Sequence, residues 1–312
     1  EIECESGKYI IKINFKINDL RVVNHGYNDL WRLSRLKWLN STLEQNDGLV
    51  KPFVSPKVET NTVEILGRKI ELGKNALPKQ VYSFYDEAIG ICDDVQKTLF
   101  AKECEFLVGN TKVSGDLLDT KAYKNRVEAS SKFKSDDFDA EVMSTLYYDG
   151  QAVYSIKIKP KKDFEVENTA LNIYVDKACT ALMHGLGHRA SKAENLTFKW
   201  DNDKQQDCIF MGCVNCGVRV KFKAENYIRP LINIFYKNLP LKTPSETWDN
   251  NSNGSIDVTV FDDFAKISAQ TGKYKFKKGE QRHFDFEFHF TPFKPIDYEK
   301  MFGVRYLHNN SL

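Results

Sequence analysis

The stretch Phe284-Asp285-Phe286-Glu287-Phe288-His289-Phe290 places a phenylalanine at every second position, with Asp285, Glu287 and His289 between them. Side chains of a β-strand point alternately to opposite faces, so this period of two makes one aromatic face and one ionisable face. The pattern predicts a central strand of an antiparallel sheet. Its phenylalanines pack on a second layer about 10 Å away, and its polar face, Glu287 included, is solvated. Thr291-Pro292 and Pro295 end the ladder, because proline has no amide hydrogen to give.

The same alternation recurs along the chain. Ile11, Ile13, Phe15 and Ile17 alternate with polar residues. Val63 and Ile65, then Ile70 and Leu72, flank a turn at Gly67-Arg68, and Gly73-Lys74-Asn75 makes a second turn. Val142 to Tyr148 and Gln151 to Lys159 flank Asp149-Gly150, a two-residue hairpin signal in which both central positions take positive φ, and Pro160 ends that strand. Leu171, Ile173 and Val175 form a strand, as do Val218, Val220 and Phe222, and then Val258 and Val260. Helical spacing is scarce, and Tyr27 to Leu39 is ambiguous. The fold class predicted is all-β, an antiparallel β-sandwich or supersandwich with little helix. A soft boundary near residues 110–140, where Lys, Ser and Asp cluster (Ser130 to Asp139), divides residues 1–120, a first β-sheet region, from 121–312, a second β-sandwich region. One large β domain is the alternative.

Composition narrows the function classes. Forty-five basic side chains stand against 43 acidic ones, for a net charge of +2. That balance gives no footprint for nucleic acid, and Lys157, Lys159, Lys161 and Lys162 read as a solvated strand end. No apolar run is long enough to span a membrane. The chain starts at Glu1 rather than Met, which fits a processed or trimmed product. Seven cysteines are too few for a disulfide-dependent scaffold of 312 residues. Asn40, Asn195, Asn250, Asn253 and Asn309 each open an Asn-x-Ser/Thr acceptor. They are candidate N-glycosylation sites and fit a secreted, extracellular or periplasmic protein.

Catalytic patterns are missing. The acidic groups Asp136-Asp137-Phe138-Asp139 and Asp262-Asp263 are the nearest to a glycosidase pair, but neighbours on a strand face opposite ways, so they read as loop acids. There is no Gly-x-Ser-x-Gly elbow, phosphate loop or dinucleotide fingerprint. His184-Gly185-Leu186-Gly187-His188 precedes Cys213-Val214-Asn215-Cys216. A Cys₂His₂ zinc site and a Cys213–Cys216 redox pair are both conceivable there. A tight hairpin allowed by Gly212 and Gly217, with two small thiols at its base, outweighs them. No metal and no cofactor are expected. Of the four tryptophans, Trp248, in the polar loop Pro244 to Gly254, and Trp200 are the candidates for stacking on a sugar ring.

Six motifs in order, Arg35–Ser41, Leu66–Ile70, Met183–Gly187, Phe198–Asp201, Asn226–Pro230 and Phe290–Pro295, resemble the N-terminal region of proteins similar to glycoside hydrolase family 123, from about Asp19 to His308. The resemblance implies a β-sandwich region that precedes a (β/α)₈ barrel. That barrel carries an Asp-Glu pair and uses the substrate's acetamido group as nucleophile. No barrel pattern follows Phe302–His308, so no catalytic residue carries over. Cys213, Cys216, His184 and His188 depart from the family's pattern, and the cysteines would suit disulfides in a secreted descendant. The function expected is a non-catalytic, carbohydrate-associated β-sandwich region of a glycoside-hydrolase-like protein, with carbohydrate and a following barrel or partner subunits as its contacts. The alternative is a stand-alone structural or adhesive protein that reuses the fold.

Overall fold

The computed structural model describes residues 48–200, 207–223 and 246–303, with short pieces at 2–4, 7–9, 14–16, 21 and 24. Two compact units divide the chain, Glu1–Asn46 and Asp47–Leu312. In the first, Ile2–Cys4 pairs antiparallel with Gly7–Tyr9. The alternation over residues 11–17, apart from 14–16, and the Tyr27–Leu39 segment lie outside the described residues.

The second unit is a layered antiparallel β structure. A nine-stranded sheet runs, edge to edge, through Asp116–Ala122, Arg126–Lys134, Phe138–Tyr147, Gln151–Pro160, Arg282–Thr291, Cys216–Lys223, Cys208–Cys213, Leu182–Gly185 and His188–Ser191. A six-stranded sheet runs through Leu196–Lys199, Ser255–Val260, Phe264–Gln270, Thr169–Asp176, Phe100–Val108 and Thr111–Lys112. A five-stranded sheet contains Lys57–Glu59, Thr62–Ile65, Arg68–Leu72, Pro78–Ser83 and Lys97–Thr98. Among the described residues, helix is limited to Glu246–Asp249, Tyr298–Gly303 and short 3₁₀ turns such as Lys177–Cys179.

Arg282–Thr291 is the fifth strand of the nine, as its alternation predicts, and Phe284, Phe286, Phe288 and Phe290 are all fully buried. Phe286 stacks on Tyr154 of one neighbouring strand, with ring centroids 5.0 Å apart, and pairs in register with Phe222 of the other. Phe284 meets Phe106 edge-on at 5.1 Å, and Phe290 meets Phe100 at 6.4 Å. These contacts join the nine-stranded sheet to the six-stranded one through a shared aromatic core.

Three expectations are corrected. The loop at Asp149-Gly150 is not a two-residue turn: Gly150 N–H donates to the carbonyl of Tyr147 at 3.0 Å, and of these residues only Gly150, at φ +93°, takes positive φ. The first turn is Leu66-Gly67, and Arg68 already belongs to the next strand, paired with Ile65. The polar stretch Ser130–Asp139 lies within a hairpin, where Arg126–Lys134 and Phe138–Tyr147 pair along their length. Finally, the face opposite the phenylalanines is not fully solvated, since Glu287 is only 5% exposed.

Candidate functional site

That second face of the nine-stranded sheet concentrates ionisable groups. The register puts His289 between Gln151 and Arg219, and Glu287 between Val153 and Lys221. The Glu287 carboxylate is contacted by Lys223, receives Gln151 Nε2 at 3.1 Å and lies 3.9 Å from Lys221 Nζ. Burial pushes this carboxyl's pKa up, but the two lysines and the glutamine outweigh that, and it sits below its usual value. His289 Nδ1 lies 3.4 Å from an Arg219 guanidinium nitrogen. Burial lowers the His289 pKa, Arg219 adds to the effect, and Glu287 opposes it only in part. An ionised carboxylate held by two lysines is a poor proton acceptor, so this cluster works as an ion network that fixes strand register. Sequence reading missed it, although Lys221 and Lys223 alternate in step with Glu287 and cross-strand charge pairs are a known signal.

The acids singled out from sequence do not converge. Asp137 pairs with Lys162, and Asp139 with Lys161 at 2.8 Å. Asp262 and Asp263 are exposed in the turn between Ser255–Val260 and Phe264–Gln270. The lysine run is thus the cationic half of a hairpin whose other half carries the acids.

The tryptophans are placed differently from expectation. Trp248 is 0% exposed. Its ring meets Phe222 and Phe284 edge-on at 5.4 and 5.3 Å, and its Nε1–H donates to the carbonyl of Asp285 at 3.0 Å. Trp200, 8% exposed, packs edge-on against Phe198 and Phe222. Polar flanking residues marked a loop, but the indole turns inward to the aromatic core, so neither ring presents an open face to a sugar. Asn40 and Asn309 lie outside the described residues.

An open polar trough of about 610 Å³ lies instead on the outward face of the six-stranded sheet, lined by Thr197, Lys199, Asp257, Lys266, Ser268 and Gln270 among others. Its polar groups are held in fixed directions. Gln270 Nε2 donates to Asp257 at 2.6 Å while Gln270 Oε1 accepts from Asn168 at 2.8 Å, and Ser268 Oγ donates to Asn172 Oδ1 at 2.7 Å. Beside it, Tyr174 donates to Glu105 at 2.9 Å; burial first, then Glu105, raise its pKa to about 12. Fixed donors and acceptors over small hydroxyl residues suit the hydroxyls of a saccharide. The alternation Ser255, Asp257, Thr259 was the sequence signal for this face.

The His and Cys motifs separate. His184-Gly185-Leu186-Gly187-His188 is a hairpin with Leu186 at φ +50° and Gly187 at +76°. His184 stacks on Phe210, and His188 contacts Ser191 and Glu194. Among the described residues, no group of three or more His, Cys, Asp and Glu side chains is arranged to hold a metal ion. Gly212 and Gly217 pair directly across the other hairpin, where a Cβ on Gly212 would lie 2.6 Å from the Gly217 Cα.

The fold and the family match define the class: an all-β domain of a glycoside hydrolase family. The family described as glycoside hydrolase 123, third domain, matches residues 57–292, and the chain belongs to it. No curated protein sequence matches. Among solved structures, galactose 1-epimerase from Lactobacillus acidophilus NCFM aligns at 9% identity over 78% of this chain and 99% of that one, with a TM-score of 0.46. A putative aldose 1-epimerase from Escherichia coli K12 aligns at 6% identity over 76% and 98%, with a TM-score of 0.39.

Proposed function

We propose that this chain is the non-catalytic β-region of a glycoside-hydrolase-like protein, and that it contacts carbohydrate without cleaving it. The observation that carries this reading is the condition of its carboxylates. Hydrolysis needs two carboxyl groups across one glycosidic bond, or one with substrate assistance. Here Glu287 is held by Lys221 and Lys223, and Asp137 and Asp139 are paired with lysines. The trough around Asp257 and Gln270 is the surface for the saccharide.

A second feature supports a neighbouring domain or subunit. Val50, Val54, Ile91, Ile296 and Met301 are exposed, and the C-terminal segment is laid against the loop at 88–91 by Ile296 N–H to Ile89 O and Tyr298 OH to Ala88 O. Ile296 and Met301 share a groove with Lys51 and Pro52, and exposed apolar side chains there favour contact with another surface.

The test is an assay of the chain with an aryl N-acetylgalactosaminide, beside calorimetry with N-acetylgalactosamine oligosaccharides. No aryl release is expected, and binding is expected that Asp257→Ala weakens at least tenfold. Turnover lost in Glu287→Gln or Asp257→Asn would overturn the non-catalytic reading. Binding unchanged by Asp257→Ala would remove the trough from it.

A further inference from the structure

Three thiols from separate points of the chain meet at the seam between the sheets. Cys179 closes the 3₁₀ turn Lys177–Cys179, just after the six-stranded sheet's strand Thr169–Asp176. Cys213 ends one strand of the nine-stranded sheet, and Cys216 begins the next. Cys213 Sγ lies 3.9 Å from Cys179 Sγ. Cys179 Sγ also faces the carbonyl of Thr98 at 3.4 Å, and Cys213 Sγ faces the carbonyl of Cys216 at 3.3 Å. The turn that carries Cys213 and Cys216 is clamped. Asn215 Nδ2 donates to the carbonyl of Tyr85 at 2.8 Å, Ser83 Oγ donates to the Asn215 carbonyl at 2.5 Å, and Lys97 Nζ donates to Asn215 Oδ1 at 3.1 Å. Lys97 therefore holds an ammonium beside the thiols; Cys179 and burial push the Cys213 pKa up, and Lys97 offsets that rise in part. Cys213 is partly exposed, while Cys179 and Cys216 are buried.

We propose that Cys179 and Cys213 are a redox-convertible pair, which a low-molecular-weight disulfide such as glutathione disulfide joins into a staple between the two large sheets. Cys213, the thiol that solvent reaches, loses its proton and attacks one sulfur of the reagent. A mixed disulfide forms, and one glutathione thiolate leaves and is protonated. Cys179 then loses its proton and attacks Cys213 Sγ, which expels the second glutathione thiolate. Two protein thiols are oxidised by two electrons, one reagent disulfide is reduced to two thiols, and the protons balance. The sulfurs must close from 3.9 Å to about 2.05 Å. Cys216 is not the expected partner, because Cys213 Sγ faces its carbonyl oxygen.

The test uses the whole chain under native conditions with excess glutathione disulfide, followed by alkylation, proteolysis and mass spectrometry. The expected product is a peptide pair linking Cys179 to Cys213. It should come with a rise in Tm of about 5–15 °C that dithiothreitol reverses. Cys216→Ser should keep the link, and Cys213→Ser, at the partly exposed site, should fold and lose it. A Cys213–Cys216 link, an absence of any link in the folded chain, or bound zinc that shields all three thiols would each overturn the proposal.

Discussion

Arg68 Nη1 donates to the carbonyl of Phe290 at 2.7 Å, so a side chain of the five-stranded sheet is bound to the end of the nine-stranded sheet's central strand. The same nitrogen reaches Asp149 O at 3.0 Å, while Nη2 reaches Phe293 O at 2.9 Å and Nε reaches Leu66 O at 3.2 Å. Burial lowers the guanidinium pKa to about 10, so it stays charged at neutral pH among carbonyl acceptors. Arg68→Met should leave these carbonyls short of donors and cost about 3–5 kcal/mol in urea unfolding. Gly150→Ala should also destabilise strongly, because its Cβ would lie 2.1 Å from Arg68 Nη1 at a φ of +93°. A loss below about 1 kcal/mol for Arg68→Met would mean that other groups take over those carbonyls.

Glu287 contributes more than its place on a polar face suggested. Glu287→Lys would set a third cation against Lys221 and Lys223, at a position 5% exposed. The expected loss is about 3–5 kcal/mol, equal to or above that of Phe286→Ala, which removes core contacts and leaves a cavity. Denaturant midpoints of the two variants decide this; a Glu287→Lys loss under about 0.5 kcal/mol would return Glu287 to an ordinary solvated role.

The two cases show what a sequence pattern carries. Alternation fixed the strand Arg282–Thr291 and its aromatic face, because burial of four phenylalanines leaves one orientation. It could not tell whether the opposite face meets water, since a paired Glu287 and a solvated one look alike in one dimension. Trp248 failed for a similar reason: Asn and Ser neighbours mark a loop, yet the indole direction is set by Phe222 and Phe284, which join it only in three dimensions. Arg68 stands within a short motif, but two of its four acceptors, Phe290 and Phe293, lie more than 200 residues away.

His289 should make stability fall on mild acidification. Its folded pKa is lowered, so as pH drops below about 6.5 the unfolded chain binds the proton first. Stability from this group is full above that pH and is lost between the unfolded and folded values. Glu287, also lowered, adds a second loss below about 4.5, as its carboxylate protonates and leaves Lys223 without its partner. Unfolding curves from pH 7.5 to 5.5 should show a slope that His289→Gln reduces. An unchanged slope in that variant would assign it to other groups.

The acceptor asparagines should differ in what they tolerate. Asn250 Nδ2, the atom a glycan would occupy, donates to Thr271 O at 2.9 Å and to Lys273 O at 2.8 Å, and its backbone stands at φ +45°. A glycan there leaves Nδ2 a single hydrogen, so at least one of the two bonds is lost from the turn that feeds the buried Trp248. Asn253 Nδ2 is spent in part, on Asn250 O at 2.9 Å. Asn195 is exposed and uses its Oδ1 to accept Val260 N–H at 2.8 Å, so its Nδ2 can carry a substituent with that bond intact. Asn250→Ala should cost about 1–3 kcal/mol for its two bonds, against less than about 1 kcal/mol for Asn195→Gln. Secreted from a glycosylating host, folded protein should carry glycan at Asn195 and little at Asn250, as read by glycopeptide mass spectrometry. Full occupancy of Asn250 in a cooperatively folding product would show that its turn forms without one of those two hydrogen bonds.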